Sequence, residues 1–252
     1  MTVSSETVLA GEAMAVIEPQ AHREASSGVA GQAAVLIWND IAPEGREEFY
    51  GWHDKEHMPE RLALPGFRRG RRLRRAGHSP EWLTVYEAAD LSALVSPEYL
   101  AALNAPTPAT VGALKHFRNT SRAVCRLVLS VGSSIGGHVL AMRLGMPGEQ
   151  ESAMRRYLEE AFARAVSGVG VVACHLYAAD RSASYVDTAE SSTRKFDVPA
   201  WTVLCEATTP DAAERARNVI DGGALARLGV EVRSDAAVYA LEVCRLSSAL
   251  RW

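Results

Sequence analysis

The chain has 252 residues, 48% of them hydrophobic and 23% charged, with a formal net charge of −3. That supplies enough apolar side chain for one large core or two smaller ones, and it gives no global attraction to nucleic acid or to an anionic membrane surface. No apolar run reaches the roughly 18 residues of a membrane span. Residues 1–32 set Glu6, Glu12, Glu18 and Glu24 among small residues with no basic start ahead of an apolar block, so they read as a flexible tail without a secretory signal. Cys125, Cys174, Cys205 and Cys244 stand far apart in apolar runs with no CxxC pair, which reads as reduced core thiols in a cytoplasmic protein.

Past the tail, Ala33–Asn39 (AAVLIWN) predicts a strand, and Pro43 with Glu44 opens a helix that runs to about His57, where Pro59 ends it. Gly66–Arg75 and Trp82–Ala88 read as two strands joined by a turn through Gly77, His78, Ser79 and Pro80. Leu91–Leu103 and Thr110–Phe117 read as helices, and Ser121–Val131 as a strand buried on both sides. The order β-α-β-β-α-β is that of the ferredoxin-like split unit.

The second half repeats this order, with strands over 137–144, 169–178, 200–207 and 235–245 and helices over 149–166 and 210–221. Pro43 and Pro147 are 104 positions apart, as are Gly66 and Gly170; Trp82, Glu87 and Ala88 match Trp201, Glu206 and Ala207 at an offset of 119. The difference is a polar insertion over about 181–198, long enough to be a lid or a mobile excursion. The expected architecture is α+β: a tail over 1–32, one ferredoxin-like unit over 33–132 and a second over 133–252. A sheet with helices on one face needs its other apolar face covered, so the two units pack sheet to sheet.

The segment Trp52-His53-Asp54-Lys55-Glu56-His57-Met58-Pro59-Glu60-Arg61 carries the densest chemistry. His53 and His57 share a helix face, and imidazole titrates nearest neutrality. His57, in the last turn before Pro59, lies where the helix dipole favours its protonated form; it is the candidate general acid or base, with His53 or Glu56 assisting. On the next strand, alternation sends Arg69, Arg71 and Arg75 to one face and Arg68, Arg72 and Arg74 to the other. Most of these arginines should pair with acids such as Glu56 and Glu60, while Arg71 is the candidate fork for a substrate carboxylate or phenolate. Trp38, Asn39, Trp82 and Tyr86 are further candidates for substrate contact, with Tyr86 and Asn39 able to donate to a developing oxyanion.

The segments WHDKEHMPER, LPGFRRGRRLRR, EWLTVYEA and SPEYLAALNAPTPAT, all within 33–131, resemble the EthD-like branch of the dimeric α/β-barrel superfamily, and more closely its relatives that carry a WH-x-x-EH-x-PER segment. The resemblance implies two ferredoxin-like units packed sheet to sheet, here by tandem fusion, with a small-molecule pocket between the sheet and helices of one unit. It covers the first half well and the second faintly, because Tyr157 stands opposite His53 and Ala161 opposite His57. One active pocket per chain is therefore expected, in the first unit. The superfamily spans oxygenases without cofactors, cyclases, lactone isomerases, haem-binding dehydratases and chlorite-degrading haem enzymes, so chemistry has to come from the site.

Two cofactor readings stand behind the preferred one. His53-Asp54-Lys55-Glu56-His57 matches the reversed zinc pattern H-x-x-E-H but lacks a third ligand, and His175, aligned with Arg71, offers an imidazole to a haem iron. The expectation carried forward is an acid/base enzyme without cofactor or metal, a lyase or isomerase acting on a small cyclic or aromatic anion. A cofactor-free oxygenase using the same base and a non-catalytic small-molecule binding module are the alternatives. The expected partners are a small-molecule substrate but neither nucleic acid nor membrane, in a monomeric pseudo-dimer or a homodimer.

Overall fold

In the computed structural model, residues 28–192 and 197–248 are described. Among them, Ala33–Ile41 (β1), Phe67–Arg74 (β2), Trp82–Ala88 (β3) and Phe117–Gly132 (β4) come from the first half of the chain. His138–Leu144 (β5), Val171–Ala179 (β6), Trp201–Ala207 (β7) and Ala237–Leu246 (β8) come from the second. In the order β1-β3-β2-β8-β5-β7-β6-β4 they close into an antiparallel barrel. Eight strands leave an interior just wide enough for side chains to fill, and here Leu36, Trp38, Leu83, Tyr177, Leu204 and Tyr239 fill it.

Each half supplies four neighbouring strands, and the seams are β2 against β8 and β4 against β6. Gly66 and Gly170, paired in the sequence by their common offset, share a backbone conformation with φ of 82° and 87° that favours glycine as the chain leaves a helix for β2 or β6.

Helices coat the outside of the barrel. Over the second half, Glu151–Ser167 (α5) and Pro210–Ile220 (α8) press Met154, Leu158, Phe162 and Ala216 onto Met142, Leu176 and Val203 in a continuous apolar layer. Over the first half, Arg46–Trp52 (α1), Met58–Ala63 (α2), Pro97–Asn104 (α3) and Pro108–Leu114 (α4) form two smaller apolar clusters with the sheet. No helix among the described residues is long and apolar enough to cross a membrane.

Three expectations need correction. The helix that begins near Pro43 does not end at Pro59: α1 widens into a π-helical turn, His53–His57, and resumes as α2. In a regular helix the Pro59 ring would collide with the carbonyl four residues back. The wider turn, in which the Met58 amide donates to the His53 carbonyl, carries the chain past that clash, and the Asp54 carbonyl accepts from Arg245 Nη1 at 3.2 Å. The helix stops instead at extended Leu64, just before Pro65.

The tail expected over 1–32 is too long at its end, because Val29 is buried in the barrel core and the Gly28 carbonyl accepts from Arg69 Nη2 at 2.7 Å; residues 1–27 lie outside the described residues. Of the cysteines, Cys125, Cys174 and Cys205 are buried thiols, whereas Cys244 is exposed where β8 runs past the end of its pairing with β5. The insertion holds two single helical turns, Arg181–Ser184 (α6) and Ala189–Ser192 (α7), while Gly222–Arg227 (α9) follows α8. Asn104 accepts from the Ala189 amide at 3.1 Å, so α7 of the second half rests on α3 of the first.

Candidate active site

The π-helical turn aims both imidazoles at the sheet, with His53 and His57 buried. His53 is held from both sides: Nδ1 lies 3.1 Å from Arg72 Nη1 and Nε2 lies 3.2 Å from the Tyr86 hydroxyl. A guanidinium only donates, so Nδ1 accepts, the ring proton sits on Nε2, and it is donated to the Tyr86 oxygen. The phenol proton is thereby left for another acceptor. Burial, and then the Arg72 charge, push the His53 pKa down to about 3, which keeps this ring neutral. Burial raises the Tyr86 hydroxyl well above the ordinary phenol range, so it stays a donor.

One turn on, the His57 ring lies over Trp52 with centroids 4.3 Å apart and presents its edge to Tyr86 at 6.3 Å. Between these helices and the sheet is a cavity of about 40 Å³, room for about three waters. Ile37, Asn39, Thr84 and Tyr86 form its sheet side, Phe49, Trp52 and Leu114 its apolar wall, and Arg61, Tyr99, Arg122 and Glu190 its polar end. Asn39 is buried, and its Nδ2 makes no hydrogen bond among the described residues. Arg61 and Glu190 form a buried ion pair, and Arg122 Nη2 donates to the Tyr99 hydroxyl at 3.2 Å. The arrangement offers an imidazole, neutral donors and guanidinium charge around a small hollow, which suits stabilisation of an anion formed by proton removal.

Of the sequence candidates, His57, His53, Tyr86 and Asn39 meet at this cavity. Glu56 does not: its carboxylate accepts from Thr107 Oγ1, the residue that caps α4, because the π-helical turn swings it to the outer side. Arg71 faces the barrel interior, where its Nη1 donates to Glu206 Oε1 at 2.7 Å, so its fork holds a carboxylate of the protein itself. Burial alone would lower the Arg71 pKa, but Glu206 and Glu87 outweigh it and raise it. Trp38 also points inward, beneath Arg143 at 5.1 Å from its centroid. Trp82 shares a face with Thr84 and Tyr86 but is covered by Phe49 and Tyr50, away from the cavity.

The arginines of β2 do pair with acids, though not with Glu56 or Glu60: Arg69 holds Glu87, Arg72 holds Asp54 and Glu242, and Arg74 holds Glu81. The helix-dipole argument for a protonated His57 also lapses, because the true helix end is Leu64. Arg61, Thr84, Tyr99, Arg122 and Glu190 went unrecognised in the sequence. Arg61 stands four residues after His57, the spacing of one helix face, and was hidden only by reading Pro59 as a terminus. Arg122 shares a face of β4 with Val124, opposite to that of Ala123 in the barrel core, a signal that strand periodicity carried; nothing local in the insertion marked Glu190.

No family model matches this sequence, and no curated protein matches it at a significant level. Solved structures do share the fold. An anthrone oxidase-like protein superposes with a TM-score of 0.59 at 12% identity, over 88% of this chain and 96% of that one. A candidate chlorite dismutase gives 0.53 at 10% identity, over 84% and 94%. A candidate monooxygenase from Fusobacterium nucleatum gives 0.51 at 8%, over 87% and 95%.

These comparisons correct the expectation of a chain without cofactor: the barrel is shared with proteins named as chlorite dismutases, so the fold gives no ground for excluding a cofactor. The described residues of this chain do not cradle a haem. Two hollows of the second half, of about 320 and 430 Å³, are lined by no His, Cys or Tyr that could hold the iron, and the first-half cavity is far smaller than a macrocycle. His175 lies inside the barrel, its Nδ1 3.0 Å from Ser130 Oγ. The zinc pattern is not assembled either, since both ring nitrogens of His53 are engaged and Glu56 is turned to Thr107. Among the described residues no group of three or more His, Cys, Asp or Glu side chains is placed to hold a metal ion.

Proposed function

We propose that this chain is a small-molecule enzyme that moves protons on a cyclic or aromatic acid in the first-half cavity. His57 is its general base and acid, Tyr86 donates to the oxygen on which charge develops, Asn39 is a second donor, and His53 is the positioning residue that fixes the Tyr86 hydroxyl. The observation that carries this reading is the neutral His53 ring, whose bonds to Arg72 and Tyr86 leave the phenol proton free to be donated beside His57. Removal of a proton next to a carbonyl or phenol sends charge to that oxygen. Return of a proton at another carbon makes the reaction an isomerisation, and loss of a leaving group makes it a lyase reaction.

An oxygenase is the second reading, favoured by the anthrone oxidase-like and monooxygenase-like proteins that share the fold. The same proton removal leaves an electron-rich carbon that dioxygen can oxidise. We further read 33–132 and 133–252 as two ferredoxin-like units joined in tandem, with the EthD-like motif in the first. The contiguous strand sets, the paired Gly66 and Gly170, and the buried carboxylates Glu87 and Glu206 at the 119 offset support that reading.

The test is a panel of hydroxylated and carboxylated aromatic compounds, followed for product and for oxygen uptake with the wild type and with His57→Gln. Turnover in the wild type should fall by about 10²–10⁴ in His57→Gln. Stoichiometric oxygen uptake would select the oxygenase reading, and turnover undiminished by the substitution would refute the assignment of His57.

A further inference from the structure

Glu190 does not belong, by sequence, to the half of the chain whose cavity it closes. It comes from α7 in the insertion of the second half, yet it is buried against Arg61 of α2, with side-chain exposures of 8% and 3%. Glu190 and Arg122 stand between two voids: the cavity of about 40 Å³ beside His57, and another of about 20 Å³ that reaches Val186 and Thr188 of the insertion. Neither void alone holds an aromatic ring. Of Leu103, Arg122 and Glu190, which line both voids, Glu190 is the carboxylate whose displacement from Arg61 would help to join them.

The Arg61 guanidinium is only half used. Nη2 donates to Glu190 Oε1, while Nη1 makes no hydrogen bond among the described residues and lies 4.0 Å from Glu60 Oε1. A planar carboxylate that takes Nη1 and Nη2 together gains a hydrogen bond that the present pair does not make, in the fork geometry arginine prefers.

We propose that Glu190 is an internal stand-in for the substrate: it sits on Arg61 where the carboxylate of a monocyclic aromatic acid binds, and the ligand enters by taking Arg61 from it. This rests on the cavity being the reaction site, as argued above, and it adds the substrate class and a built-in competitor. The competitor keeps the buried guanidinium neutralised while the site is vacant. It also sets a threshold, because a neutral ring cannot displace Glu190 and only an anion opens the chamber. Selection against neutral analogues then comes from an unpaired buried charge rather than from shape.

The experiment is calorimetric titration of the full-length wild type, Glu190→Gln and Arg61→Lys with benzoate, benzyl alcohol and benzylamine. Glu190→Gln keeps the size of the side chain and removes its charge, so benzoate should bind it roughly tenfold more tightly than wild type or better, with benzyl alcohol unchanged. Arg61→Lys should weaken benzoate and leave benzyl alcohol alone. Benzoate binding equal or weaker in Glu190→Gln, an equal gain for benzyl alcohol, loss of benzylamine binding in Glu190→Gln, or no benzoate binding to either protein would overturn the proposal. If Glu190→Gln fails to fold, the wild type carries the test: benzoate must perturb the fluorescence of Trp52, identified with Trp52→Phe, and benzyl alcohol at equal concentration must not. The readout is binding, so a His57→Gln variant that kept both turnover and the benzoate preference would remove the acid/base reading and leave this one standing.

Discussion

The Nε2 of His53 and the hydroxyl of Tyr86 meet at 3.2 Å, and because Arg72 occupies the other ring nitrogen the imidazole is the donor in that bond. A neutral histidine is thus used as a clamp on a phenol. Tyr86→Phe should lower kcat by about 10²–10³ with little change in KM, the mark of an interaction made mainly in the transition state. His53→Gln should reproduce part of that loss, and adding it to Tyr86→Phe should cost little more, because the two act as one unit. Steady-state kinetics of the two single variants and the double variant check this; strictly additive losses would separate them.

A second pair of buried groups stabilises the barrel rather than the site. Arg71 and Glu206 are sealed inside it, with side-chain exposures of 1% and 0%. Arg71→Met strands the Glu206 carboxylate and should cost about 3–5 kcal/mol in denaturant unfolding. Glu206→Gln on that background should recover part of the loss, since the amide still accepts from the Gly136 amide, 3.1 Å from Glu206 Oε2, without a buried charge. A double variant less stable than Arg71→Met would contradict the account.

Stability should fall on acidification in a window set by two buried imidazoles. Burial first, and then Arg72 for His53 and Arg71 for His175, hold their pKa values down to about 3 and about 4. In the unfolded chain an imidazole takes up its proton near pH 6.5. Below that pH the unfolded state binds more protons than the folded one, so stability drops as pH falls from about 6.5 toward 4. Each ring contributes at most about 1.4 kcal/mol per pH unit. His175→Asn, away from the cavity, should reduce the slope of unfolding free energy against pH by about one proton; an unchanged slope would show that His175 titrates normally.

The strands, the paired glycines and the division of the β2 arginines between two faces were legible in the chain, because period-two alternation and helix-ending glycines act over a few residues. Which face looks into the barrel was not. Arg71 and Trp38 read as pocket residues since nothing in β2 or β1 alone reveals that Glu206 and Arg143, from the other half, wait opposite them. Pro59 misled for a related reason: its local effect on a regular helix was judged correctly, but a π-helical turn stabilised in part by Arg245 from β8 is a tertiary solution. Glu190 lay beyond reach for the same cause, being delivered to Arg61 by the packing of α7 on α3. Asn39 could be placed at the cavity because it sits on β1, an element that its own neighbours define.

The central claim is that His57 exchanges protons with the substrate, and chemical rescue addresses it most directly. On an aromatic acid that the wild type converts, His57→Ala should lose about 10²–10⁴ in kcat, and free imidazole added to the assay should restore part of the rate with a saturating dependence on its concentration. A His57→Ala enzyme that turns over at the wild-type rate without imidazole would contradict the account.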